Sequence, residues 1–193
     1  MWTGFRQSEK QRSGFEDGYI NHVVQFQKDD TLVYAPRTWT DDVIAFANML
    51  RRQGVEHIAM LSYSHGQAAA TKFAEYAHSI GMSIELWLVC DGVSRPSWLP
   101  RAVWAQPFAI RAVFRDAKIK VPRNIKRTVY VKQQKDFPFG HELVPEGDNI
   151  VELYGTYTSV GHCEIDESDH WWGLVIKELR SWTNPPKAIP IPE

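Results

Sequence analysis

Residues 57–90, "HIAMLSYSHGQAAATKFAEYAHSIGMSIELWLVC", limit this chain to few architectures. Two apolar runs, "HIAMLSY" and "SIELWLVC", flank a segment that places Ala69, Ala70, Phe73, Ala77 and Ile80 on one helical face. "SIELWLVC" is apolar enough to be a central strand covered on both sides. A strand, a helix and a second strand joined by short connections form a crossover unit, which makes the two strands parallel.

The alternation continues on both sides. "FEDGYINHVVQF" (15–26) reads as a helix, and "TLVYAP" (31–36) as a strand stopped by Pro36. "TDDVIAFANMLRRQG" puts Val43, Phe46, Ala47 and Leu50 at helical spacing, with Thr40 or Asp41 as the cap and Gly54 at the end. "RTVYVKQQ" (127–134) and "NIVELYGTY" (149–157) supply further strands. A last helix starting near Ser168 places Trp172, Val175, Ile176 and Leu179 on one face. The expected fold is α/β, a three-layer sandwich with a mostly parallel sheet of about five to six strands and helices on both faces. Residues 1–183 form one domain, and "NPPKAIPIPE" (184–193) trails as an extended, proline-broken tail.

Composition narrows the function classes. The chain has 193 residues, 44% of them hydrophobic, and a formal net charge of −1. Such a balance suits a globular protein and argues against nucleic acid as a partner. The basic cluster "RDAKIKVPRNIKRTVYVK" reads as a solvated loop and strand start. The two cysteines, Cys90 and Cys163, lack the paired spacing of a zinc site and fit a reducing compartment. "MWTGFRQSEKQRSG" has no apolar core of a signal peptide, and no run reaches the length of a membrane span. The expectation is a cytoplasmic protein without cofactor or metal; nothing in the residues specifies an oligomeric state.

Ser64 is the first residue whose setting suggests chemistry. In a parallel α/β sheet, ligands bind beyond the carboxyl ends of the strands, and Ser64 lies between a strand end and the next helix. A hydroxyl on a tight turn there projects outward, and the His65 N–H points into the same space with the helix dipole behind it. That suits acyl transfer, in which an alkoxide attacks a carbonyl and the new oxyanion needs prearranged donors. Ser62 and Gly66 are small enough for strand and helix to approach closely. Asp91, placed directly after a buried strand, requires a partner for its carboxylate.

"S-Y-S-H-G" (62–66) resembles the nucleophile elbow G-x-S-x-G of the α/β-hydrolase superfamily, with Ser62 where that motif has its first glycine. The chain order of serine, acid and histidine is similar as well. The "V-x-H-x-x-I-D" setting of His162 and the "DGVSRP" turn at Asp91 resemble those of small lipase- or thioesterase-type hydrolases, several of them phage-encoded. The resemblance implies a minimal α/β-hydrolase-like fold and a Ser64–His162–Asp91 triad. Asp136, after the next strand, is the alternative acid. It also implies a second oxyanion donor from the loop after "TLVYAP", the N–H of Thr38 or of Trp39. His170 is expected in the first turn of the last helix. The acidic residues around it favour that helix's N-terminus and need no metal.

Residues 92–123 form an unusually long connection that carries Trp98, Trp104 and Phe108. It reads either as a helix covering the sheet or as a lid or pocket wall against a small-molecule or lipid-like acyl substrate. The implied activity is hydrolysis of an ester or thioester through an acyl-enzyme. The alternative is a non-catalytic protein of the same fold that uses the aromatic segment for binding or assembly. The separation of the Ser64 hydroxyl from the His162 ring distinguishes the two.

Overall fold

In the computed structural model the described residues are 2–3, 14–27, 31, 33–34, 37–38, 42–93, 118–136 and 138–183. The body of the fold is a parallel sheet built from β3 (His57–Tyr63), β4 (Ser83–Cys90), β6 (Ile125–Gln133) and β8 (Ile150–Tyr157). Beyond β3 lie two-residue strands, β1 (Trp2–Thr3) and β2 (Arg37–Thr38). The full order of this six-stranded sheet is β2-β1-β3-β4-β6-β8. A separate parallel pair joins β5 (Lys118–Val121) to β7 (Glu142–Pro145).

Alternating side chains divide the core into two layers, one on each face of the sheet. Ile58 and Met60 of β3, with Trp87 and Val89 of β4, meet α2 (Val43–Arg52) and α3 (Gly66–Ser79). Leu61, Tyr63, Leu86, Leu88 and Cys90 point the other way. They meet α1 (Gly14–His22) and α4 (Asp169–Thr183), with Trp171, Leu174 and Val175 filling the interface. The class is therefore α/β, with helices on both faces of a parallel sheet. β4, covered on both sides, is wholly apolar from Leu86 to Cys90. β8, at the sheet edge, has no fully buried residue.

Several boundaries differ from the sequence expectation. The cap of α2 is Asp42 rather than Thr40 or Asp41; its carboxylate accepts from the Ile44 and Ala45 amides, both at 3.0 Å. Residues 15–26 break into α1 and a single 3-10 turn, Val24–Phe26. Of the expected strand 31–36, the described residues Val33 and Tyr34 are in no strand and Thr31 makes a single bridge; a strand follows at Arg37–Thr38. Near the end of the 92–123 connection lies strand β5, whose Ile119 and Val121 are buried in the core. Residues 94–117 and the tail 184–193 lie outside the described residues. Among the described residues no helix is long and apolar enough to cross a membrane.

Phe73 of α3 has no exposed surface and packs 5.8 Å, ring to ring, from Phe46 of α2. Phe73→Ala is expected to lower the unfolding free energy by about 3–5 kcal/mol in urea titration. A loss under about 1 kcal/mol would contradict the layer assignment.

Candidate active site

The joint between β3 and α3 is two residues long, Ser64 and His65. So short a connection between a strand and a helix needs a sharp reversal, and Ser64 supplies it with φ of 53°, in the left-handed region. The turn is tied to the end of β4. The Ser64 N–H donates to the Cys90 carbonyl at 3.0 Å, and the Ser64 carbonyl accepts from the Val93 N–H at 3.1 Å. Ser62, where a glycine would leave more room, is fully buried on the α2/α3 side. Its hydroxyl accepts the indole N–H of Trp87 at 3.0 Å, giving that buried donor its partner.

The Ser64 hydroxyl lies 2.8 Å from His162 Nε2. The other ring nitrogen, Nδ1, lies 2.5 Å from Asp91 Oδ2, and Asp91 Oδ1 accepts the Gln133 backbone N–H at 2.8 Å. An ionised Asp91 carboxylate can only accept, and in that state His162 Nδ1 carries the proton and Nε2 presents its lone pair to Ser64. All three side chains are sheltered: Asp91 has no exposed surface, and Ser64 and His162 are 6% and 8% exposed. Among the described residues, the non-glycine residues with positive φ are Ser64 and Asp91, the latter at 46°. Backbone strain of this kind persists where the surroundings over-determine it, and it concentrates at functional sites. Burial pushes the Asp91 carboxyl above its usual range, and the hydrogen bonds from His162 and Gln133 oppose that shift.

Asp136 also reaches His162, but by another route. Its Oδ1 accepts the His162 backbone N–H at 2.8 Å, so it holds the histidine's main chain. The loop carrying Asp136 is wrapped around the buried Gln133 side chain. Gln133 Nε2 donates to the Asp136 and Pro138 carbonyls at 2.9 and 2.7 Å, and Oε1 accepts from the Lys135 and Asp136 amides at 2.8 and 3.1 Å. Glu164 closes the same region from outside, accepting from the Gly161 N–H at 2.8 Å and pairing with Lys135 at 3.1 Å. The Gly161 amide and then Lys135 hold the Glu164 carboxyl below its usual range.

Two glycines make room for these carboxylates. A Cβ on Gly140 would stand 1.9 Å from Asp91 Oδ1, and one on Gly161 would stand 2.4 Å from Asp136 Oδ2. Neither glycine was legible as part of a site, nor was Gln133, a polar residue at a strand end. The one sequence cue is that Gly161 directly precedes His162.

The remaining candidates are placed as follows. His65 follows Ser64 in helical conformation, φ −68° and ψ −12°, so its amide is at the N-terminus of the fourteen-residue α3. Thr38 ends β2, but β1 lies between β2 and β3, leaving Thr38 two strand spacings, roughly 10 Å, from β3. The sheet neighbour of β3 is β1, through Trp2 opposite Ser62. Trp39, Trp98, Trp104 and Phe108 lie outside the described residues. His170 is in the first turn of α4, 6.3 Å from the Tyr157 ring. A cavity of about 110 Å³ runs along the His57–Leu61 part of β3, walled by α1, α2 and α4; Ser64 does not line it. Among the described residues no group of His, Cys, Asp or Glu is arranged to hold a metal ion.

Comparison with protein-family models gives no match, and no curated protein matches the chain in sequence.

The raised Asp91 carboxyl has a consequence for stability. A group whose folded pKa exceeds its unfolded value contributes fully below the unfolded value and loses that contribution as pH rises through the folded one. Asp91→Asn removes this loss. Relative to wild type, the variant is expected to gain stability as pH rises from the ordinary carboxylate range, read by denaturant titration at a series of pH values. A variant that falls behind wild type over that interval would contradict the assignment.

Proposed function

We propose that this protein is a serine hydrolase that cleaves an ester or thioester through an acyl-enzyme. The observation that carries the reading is the 2.8 Å contact between the Ser64 hydroxyl and His162 Nε2, backed by Asp91 on Nδ1. A binding or assembly protein has no need of a strained serine joined to a buried histidine and carboxylate, which favours catalysis over the non-catalytic alternative. The strand–turn–helix setting of Ser64 and the order serine, acid, histidine fit the α/β-hydrolase superfamily, the resemblance suggested by "S-Y-S-H-G".

In this mechanism Ser64 Oγ attacks the substrate carbonyl carbon while its proton passes to His162 Nε2. Asp91 keeps the other ring proton on Nδ1 and stabilises the imidazolium that forms. The His65 N–H, with α3 behind it, faces the developing oxyanion. As the intermediate collapses, His162 returns the proton to the leaving oxygen or sulfur, and the acyl group stays on Ser64. Water then attacks the acyl-enzyme, with His162 as base, releasing the acid and restoring the serine. Asp91 is the acid in this scheme because it meets the ring, whereas Asp136 meets the main chain.

The test is turnover of p-nitrophenyl acetate by the full chain. Ser64→Ala is expected to abolish it, and Asp91→Asn to reduce it about 10⁴-fold by disturbing the tautomer. Asp136→Asn keeps an acceptor for the His162 amide and is expected to cost less than about tenfold. Undiminished turnover by Ser64→Ala would refute the reading, and a larger loss from Asp136→Asn than from Asp91→Asn would reverse the choice of acid.

A further inference from the structure

The residue before the nucleophile position meets His162 twice. Tyr63 is the last residue of β3, and its side chain points to the α1/α4 side of the sheet, 5% exposed. Its hydroxyl donates to the His162 carbonyl at 2.6 Å. Its ring stacks on the imidazole, with centroids 5.3 Å apart and planes 25° from parallel. With Asp136 on the His162 N–H, both ends of this residue's backbone are held by side chains, and its ring is held on one face as well as at both nitrogens.

We propose that Tyr63 is a positioning residue for His162, whose hydroxyl anchors the histidine's backbone and whose ring face stabilises the imidazolium formed when Ser64 gives up its proton. The proposal rests on the hydrolase reading for its catalytic consequence. An aromatic face carries negative potential, so a cation stacked on it away from water is favoured over the neutral ring. The titratable groups around this pair are Asp91 on Nδ1, Asp136 on the His162 amide, and Asp166, Cys90 and Cys163 near the phenol. Burial and the neighbouring Asp166 hold the phenol protonated at every pH of interest, so it remains a donor.

The two roles separate by substitution. Tyr63→Phe keeps the ring and removes the anchor. Tyr63→Leu removes both, and Tyr63→pentafluorophenylalanine keeps the shape while reversing the charge of the ring face. Two pH dependences are measured on each protein: kcat for p-nitrophenyl acetate, and the His162 ring proton resonances. Tyr63→Phe is expected to leave both midpoints in place and to lower kcat about three- to tenfold through the lost hydrogen bond. Tyr63→Leu and the fluorinated variant are expected to move both midpoints about one pH unit lower, since the imidazolium loses its support.

Identical midpoints in all four proteins would overturn the proposal and leave Tyr63 as core filling. The fluorinated variant keeps the test open if Tyr63→Leu does not fold. The resonances also separate this claim from the one beneath it. Resonance midpoints that move in the Tyr63 variants, together with a wild-type protein that has no esterase activity, would uphold the support of His162 by Tyr63 and refute the hydrolase reading.

Discussion

A carboxylate with no exposed surface at the end of a central strand is the constraint around which this site is organised. Burying Asp91 without partners would cost several kcal/mol. Its two oxygens are therefore met by the His162 ring and the Gln133 amide. The chain bends to allow it: Asp91 sits at positive φ, and Gly140 leaves the space that a side chain would take from Oδ1. Once Asp91 is fixed, the orientation of His162 follows, because one ring nitrogen is committed and the other faces Ser64. A position inherited from the sheet thus becomes a chemical instruction to a residue 71 places further along the chain.

The second layer of contacts makes that instruction rigid. Gln133, on the strand beside β4, uses its amide for Asp91 and its side chain to fold the following loop. That loop delivers Asp136 to the backbone of His162. The connection after β4 therefore meets the ring of His162 and the one after β6 meets its backbone N–H, while the connection after β8 carries the histidine itself. Contacts of this kind hold a side chain in one orientation, so that no group must reorient before it can act. The strain at Ser64 is borne by the same neighbourhood, since its amide and carbonyl are both bonded to the chain around the Asp91 turn.

Much of the sheet could be read from the sequence because the long strands announce themselves. β3 and β4 have the boundaries their apolar runs suggest, and the face of α3 carrying Ala69, Ala70, Phe73 and Ala77 is buried. β1 and β2 could not be read, because two residues display no periodicity. Their place in the sheet, with β1 between β2 and β3, was therefore not legible either. At the site, residue types with few possible partners were legible: a serine on a turn, a histidine before a helix, a carboxylate after a buried strand. The distinction between Asp91 and Asp136 depends on which atoms of His162 they face, which spacing along the chain does not encode. Gln133, Gly140, Gly161 and Tyr63 act through shape and backbone contacts, and such roles leave little trace in one sequence.

The most direct measurement of the central claim is intact mass after exposure to a fluorophosphonate, followed by peptide mapping. An activated serine attacks the phosphorus, expels fluoride and retains one phosphonyl group. The account predicts a single addition to the native chain, mapped to Ser64 and lost in His162→Ala. A folded protein that stays unlabelled, or that carries the group on another residue, would contradict it.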